Sequence, residues 1–162
     1  MNHYLVRLML LTDLLSPDCL IVPLEAADKQ SAIFQLAELL CEKAQIPDAG
    51  GFKDAIWERE ITRSTGFGYG VAAPHHRTDA VDKVHIAMGV AQAGIDFQAV
   101  DKQPVDIIVV IASPTGEPKV HIDALSYISR MFVEEEIRQA LRAADSPAAL
   151  YATIQDVQEG LS

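Results

Sequence analysis

The run "VDIIVVIAS", Val105 to Ser113, is the most β-branched stretch of the chain. Five consecutive residues, Ile107 to Ile111, carry no polar group. A strand with one face in water alternates apolar and polar residues. A strand that is apolar at every position buries both faces, which makes it a central strand of a sheet covered on two sides by helices.

Downstream, "PTGEP" breaks the strand, and Pro118 suits the first turn of a helix. That helix presents Ile122, Leu125, Ile128, Ser129 and Phe132 at spacings of three and four. Glu134 to Ala143 reads as a further helix, with Glu134, Glu135 and Glu136 a solvated acidic face at its start. Ser146–Pro147 is a cap followed by a first-turn proline, opening a last helix with Leu150, Ile154 and Val157 on one stripe.

Upstream, "KVHIAMGVA" (Lys83 to Ala91) reads as a second buried strand and "GIDF" as a short edge strand. "LIVPL" (Leu20 to Leu24) reads as another strand. Asp28 caps a helix with Ala32, Ile33, Leu36, Ala37, Leu39, Leu40 and Ala44 at helical spacing, ended by Pro47 and Gly50–Gly51. A second amphipathic helix runs from about Phe52 to Ile61, with Phe52, Ala55, Ile56 and Trp57 inward. Strands interspersed with helices predict a single α/β domain over residues 1–162, a three-layer α/β/α sandwich. The central sheet is mixed, because some strands lie too close together for helical crossovers.

The chain has 162 residues, 49% of them apolar and 22% charged, which suits one folded domain with a full core. Its formal net charge of −10 opposes binding to nucleic acid or to an anionic membrane surface. Cys19 and Cys41 each sit in an apolar run and read as buried, inert thiols. The apolar stretch Leu8 to Leu15 is interrupted by Asp13, is too short to span a bilayer and is followed by no cleavage signal. A cytoplasmic location without membrane insertion is the expectation.

The stretch "STGFGYGVAAPHHR", Ser64 to Arg77, is the candidate site. A dinucleotide-binding turn is excluded, because the third glycine comes one residue early, the preceding segment reads as helix and the following one contains Pro74. A metal site is disfavoured: the side chains of adjacent His75 and His76 diverge, so one metal takes one of them plus His121 or His85, and no clustered ligand motif accompanies them. Two readings remain open on the residues alone. In one, glycines make a hairpin and the histidines lie on a surface loop. In the other, a histidine carries a phosphoryl group. A neutral imidazole is a nucleophile near pH 7, and phosphoryl transfer asks for position and for donors around three anionic oxygens. Gly66, Gly68 and Gly70 would let backbone N–H groups approach those oxygens, with Ser64 and Thr65 as hydroxyl donors and Arg59 and Arg63 as nearby cations.

"WEREITRSTGFGYGVAAPHHR" resembles the active-site segment of enzyme IIA domains of the sugar phosphotransferase system, within the fructose/mannitol class and its nitrogen-regulatory branch. The resemblance rests on Arg59–Glu60, Thr65–Gly66, Gly68, Gly70, Val71 to Ala73 and Pro74–His75. It continues in "LLSPDCLIVPLEAADKQSAIFQLAELL", "FQAVDKQPVDIIVVIASP", "KVHIDALSYISRMF" and "LRAADSPAALYATI", which together cover nearly the whole chain. It implies that His75 accepts a phosphoryl group from a phosphohistidine on a carrier protein, HPr or its nitrogen-branch counterpart. It implies that His121 faces the active imidazole and that Arg59 neutralises phosphoryl charge. The acceptor would be a regulatory target protein or a IIB component, and no metal or organic cofactor is implied.

One position departs from the family pattern. A small residue usually follows the active histidine, and here it is His76, either a solvent-facing residue or one that screens phosphate. The same fold also serves as an unphosphorylated module in some anion transporters, which leaves a binding role as an alternative. Outside the site, His3 reads as a terminal residue, His85 as a sheet histidine and Arg77 as a surface residue.

Overall fold

A computed structural model describes residues 10–159. The elements in chain order are α1 (Leu11–Leu14), β1 (Leu20–Ile21), α2 (Lys29–Ala44), α3 (Ala49–Thr62), β2 (Gly66–Gly68), β3 (Val71–Ala72), β4 (His75–Thr78), β5 (His85–Ile95), β6 (Val105–Pro114), α4 (Pro118–Val133), α5 (Glu135–Arg142) and α6 (Pro147–Glu159). His3 lies outside the described residues.

The expected central strand organises the sheet. β6 pairs antiparallel with β5 along one edge. Its other edge pairs in parallel with β3 (Val71 opposite Ile107) and then with β4 (His75 opposite Ile111). β1 adds in parallel outside β5, and β2 adds antiparallel outside β3. The sheet is therefore mixed, with six strands.

Both faces of β6 are fully buried, as its unbroken apolar run demands: Ile107, Val109 and Ile111 on one side, Ile108 and Val110 on the other. Gly89, opposite Ile108, lies against Leu36 of α2 so closely that an added Cβ would stand 3.2 Å from its Cδ1. This assigns α2 to the Ile108 side. Ser113, two residues beyond Ile111, bonds to His121 of α4, which assigns α4 to the Ile111 side. The expected three-layer arrangement holds.

Helix starts follow their caps. The Asp28 side chain accepts from the Ser31 N–H and opens α2; the Asp48 side chain accepts from the Gly51 N–H and opens α3. Gly50 and Gly51, expected to end the preceding helix, are instead in the first turn of α3. Pro118 occupies the first turn of α4 as expected.

Several local expectations differ. "LIVPL" keeps only a two-residue strand, β1. "GIDF" is not a separate strand; Gly94 and Ile95 are the end of β5. In α4 the buried stripe is His121, Ala124, Ile128, Met131 and Phe132, while Ile122 is 59% exposed. The stripe is set one position earlier than the spacing of Ile122 suggested, and it carries a histidine inward. Cys19 and Cys41 are buried and free, and burial pushes the Cys41 thiol up to about 11.

Candidate functional site

The two histidines lie on a strand. β4 runs from His75 to Thr78 along β6, and the Pro74 carbonyl accepts from the Ile111 N–H at 3.0 Å. The loop expected for "PHHR" is replaced by edge pairing. Pro74, which cannot donate to a ladder, sits at the break between β3 and β4.

Strand geometry separates the pair. Successive side chains point to opposite faces. His75 meets His121 of α4, with ring centroids 5.2 Å apart and planes tilted 55°. His76 meets Phe52 of α3 edge-on, with centroids 5.6 Å apart. His76 therefore packs on the face away from the His75–His121 pair. The expectation that it contacts the same phosphate finds no support in this geometry.

His75 is half-buried, and its Nδ1 lies 2.9 Å from the Ala73 carbonyl oxygen. A carbonyl only accepts, so Nδ1 carries the proton and Nε2 keeps its lone pair. Burial is the main cause that lowers the His75 pKa below its ordinary value; the Ala73 carbonyl opposes it, Arg59 adds to it and Glu60 opposes it. The ring is thus neutral at pH 7.

His121 is buried, with its Nδ1 2.7 Å from Ser113 Oγ. Burial first, then His75 and Arg77, push it down to about 4. Two neutral imidazoles consequently face each other. Like charge on both would be repulsive, and burial prevents it.

An open cleft of about 250 Å³ adjoins His75, lined among others by Arg59, Arg63, Thr65, Phe67 and Leu125. Arg59 is exposed, and its Nη1 donates to the Arg63 carbonyl at 2.9 Å, which holds the guanidinium at the end of α3. Ser64, Thr65 and Gly66 also line this cleft. Their polar groups are engaged within the protein. Ser64 Oγ donates to the Phe97 carbonyl at 2.6 Å and accepts from the Gly66 N–H at 3.1 Å. Thr65 donates from both N and Oγ1 to the Glu60 carboxylate, at 3.0 and 2.6 Å.

Gly68 and Gly70 do not line the cleft with His75. Gly70 has φ +77°, accepts from the Asp106 and Ile107 N–H groups, and sits where a Cβ would approach Asp106 Oδ1 to 2.9 Å. Gly68 has φ +106°. They shape the turn between β2 and β3, beyond Val71, which itself pairs four residues from His75 along the β6 register. As a phosphate cradle, only the Gly66 end of the glycine series is near the imidazole.

Glu60, on the last turn of α3, is a buried carboxylate. It is 1% exposed and pairs with Lys29 Nζ at 3.0 Å; Lys29 also donates to the Phe97 carbonyl at 3.1 Å. A pattern in the sequence could have revealed it. Phe52, Ile56 and Glu60 are four apart and all buried, so the carboxylate continues an apolar stripe. Lys29 opens the inward stripe of α2 in the same way. His85 lines a separate hollow with Lys43 and Lys83 on the far side of β6. Among the described residues, no group of three His, Cys, Asp or Glu side chains could hold a metal, and no helix is long and apolar enough to cross a membrane.

Residues 13–157 match the sequence profile of the phosphoenolpyruvate-dependent sugar phosphotransferase system, EIIA 2. The chain belongs to this EIIA family. It is 34% identical over 142 residues to a fructose-specific EIIABC component of Bacillus subtilis, covering 88% of this chain but 22% of that longer protein. It is 32% identical over 150 residues to a nitrogen regulatory protein of Pseudomonas aeruginosa, covering 93% of this chain and 97% of that one. In fold it resembles the crystal structure of the nitrogen regulatory protein IIA-Ntr from Neisseria meningitidis, with a TM-score of 0.81 at 24% identity over 89% of this chain and 98% of that one. It also resembles the IIA chain in a complex of mannitol IIA with phosphorylated mannitol IIB from Escherichia coli, with a TM-score of 0.74 at 19% identity over 88% and 99% of the two chains. The EIIA fold and the fructose and nitrogen-regulatory kinship expected from the sequence are thus shown.

Proposed function

We propose that this EIIA protein is a regulatory phosphotransfer protein that carries a phosphoryl group on His75 Nε2. The observation that carries the reading is the His75 Nδ1–H donated to the Ala73 carbonyl, which leaves Nε2 as an uncharged nucleophile beside the cleft.

In the step itself, Nε2 attacks the phosphorus of a phosphohistidine on an HPr-like carrier. The P–N bond to the carrier breaks as the P–Nε2 bond forms. Each ring keeps the proton on its other nitrogen, so no net proton moves: His75 becomes a phosphorylated imidazolium and the carrier ring leaves neutral. The Ala73 carbonyl stabilises the positive charge gained by the His75 ring. Arg59 offsets charge on the transferring group from the cleft side. With the Ser113 hydroxyl donating to His121 Nδ1, His121 presents Nε2–H as a donor toward the phosphoryl oxygens.

Kinship with nitrogen regulatory proteins over almost their full length supports a signalling role, in which the phosphorylated and free forms bind a regulatory target differently. The fructose-specific relative favours a second reading, transfer onward to a IIB component.

Incubation with phosphoenolpyruvate, enzyme I and the carrier, followed by peptide mapping, tests the proposal. One acid-labile phosphoryl group on residue 75 is expected. Labelling elsewhere, or none beside a control IIA that labels, would refute it. Rapid loss of the label to a IIB component would favour transport over regulation.

A further inference from the structure

A continuous set of contacts runs from the interior to the nucleophile. Lys29 Nζ pairs with Glu60 Oε1 at 3.0 Å, with the two side chains 9% and 0% exposed. Glu60 accepts from Thr65 N and Thr65 Oγ1. The Thr65 carbonyl accepts from the Ala73 N–H at 3.3 Å. The Ala73 carbonyl accepts from His75 Nδ1 at 2.9 Å. A second arm closes on the same ammonium: the Phe97 carbonyl takes hydrogen bonds from both Lys29 Nζ and Ser64 Oγ.

Resting on the His75 phosphohistidine reading, we propose that Glu60, anchored by Lys29, is a positioning residue that sets the orientation and tautomer of the His75 imidazole through Thr65 and the Ala73 peptide. Both groups of the Ala73 peptide unit's residue are committed, its N–H to Thr65 and its C=O to His75. Thr65 is in turn held at its N–H, its hydroxyl and its carbonyl. A carboxylate is suited to this work because it accepts three donors at once: the ammonium, the hydroxyl and the amide. A carboxamide can accept with one oxygen only, and its NH₂ group would oppose the Thr65 donors.

The placement also separates two neighbouring roles. Arg59 faces the cleft, and Glu60 is turned inward on the same last turn of α3. The charged group offered to phosphate and the charged group that braces the loop are consecutive residues on adjoining faces of one helix end.

The test uses Glu60→Gln and, as a milder change that keeps the Thr65 N–H, Thr65→Val. Ring ¹⁵N NMR of the free protein reports the His75 tautomer without any phosphorylation. Wild type is expected to show one Nδ1–H form. Glu60→Gln should show a mixture with Nε2–H, and Thr65→Val a smaller shift in the same direction. In steady-state transfer from the phosphocarrier, kcat should fall about tenfold or more with little change in KM, since a small displacement of a nucleophile has effects of that order. A wild-type tautomer and rate in both variants would overturn the proposal; should Glu60→Gln fail to fold, Thr65→Val alone decides it. Absence of label on residue 75 in wild type would remove the phosphohistidine reading while leaving the tautomer result to judge the brace.

Discussion

His75 and His121 reach each other from different elements, yet one strand sets both. β6 offers the Ile111 N–H to the carbonyl just before His75 and the Ser113 hydroxyl to the ring of His121. Because Ile111 and Ser113 are two apart, they share a face, and the two imidazoles meet on it.

His75→Ala should abolish acid-labile phosphorylation while the protein stays folded. The ring is half-buried at a sheet edge and contributes one hydrogen bond, so a loss of about 1 kcal/mol is expected. Intact mass after the phosphorelay reaction and a thermal melt check the two halves. Full labelling of the variant would move the acceptor elsewhere.

Replacing His121 by Ala should slow labelling of His75 without lowering its final extent. The variant removes a donor and leaves the nucleophile. It also leaves the fully buried Ser113 hydroxyl unpaired, at a cost of about 1–3 kcal/mol. A time course of phosphorylation beside a denaturant curve separates rate from stability. An unchanged rate would make His121 a packing residue only.

Stability should fall in acid between about pH 6.5 and pH 4. His75, His76, His85 and His121 all have folded pKa values below the ordinary 6.5, with burial as the leading cause in each, and His121 is pushed down to about 4. Through this window the unfolded chain binds protons that the folded chain refuses. The stability these groups lend is present above pH 6.5 and is lost as pH falls, most steeply for His121, where the slope approaches about 1.4 kcal/mol per pH unit. Denaturant midpoints across pH 4–8 measure it. Labelling should be flat above pH 6.5 and should decline as His75 takes a second proton. A midpoint that rose on acidification would contradict the assignment.

Gly70→Ala should destabilise the fold and spare the chemistry. The backbone there is left-handed, and the new methyl would press on Asp106, the ion-pair partner of Arg142 at 2.8 Å. A loss of about 1–3 kcal/mol is expected, with residue 75 still labelled to completion. Complete loss of labelling in a folded Gly70→Ala protein would restore this glycine to the phosphate site.

The elements that were readable carry strong local signals. The run Ile107 to Ile111 could only be a doubly buried strand, and Asp28 and Pro118 mark their helix starts by chemistry that acts within one turn. The misread elements depend on distant partners. Nothing local in "HHRT" says strand; the segment is one because β6 leaves an open edge for it. With strand geometry comes the divergence of His75 and His76, which explains how a bulky residue is accommodated after His75: it packs on Phe52, away from the His75–His121 face. The same holds for α4, where His121 rather than Ile122 lies inward, because Ser113 waits there for its ring. Arg59 and His75 line one cleft, while Glu60 is turned into the core, where its four-residue spacing from Phe52 and Ile56 is the only local mark of its burial.

The pairing of β4 with β6 makes the two-histidine arrangement a matter of parity. Adding a single residue between Ile111 and Ser113 would turn the hydroxyl to the α3 side and leave the His121 ring without its hydrogen bond, although every chemical group remained in the chain. A change of two would keep the faces and only lengthen the gap. Variation in length should therefore be tolerated in the turn after Pro114 and forbidden by ones within this short interval, so that arithmetic, more than residue type, guards the site.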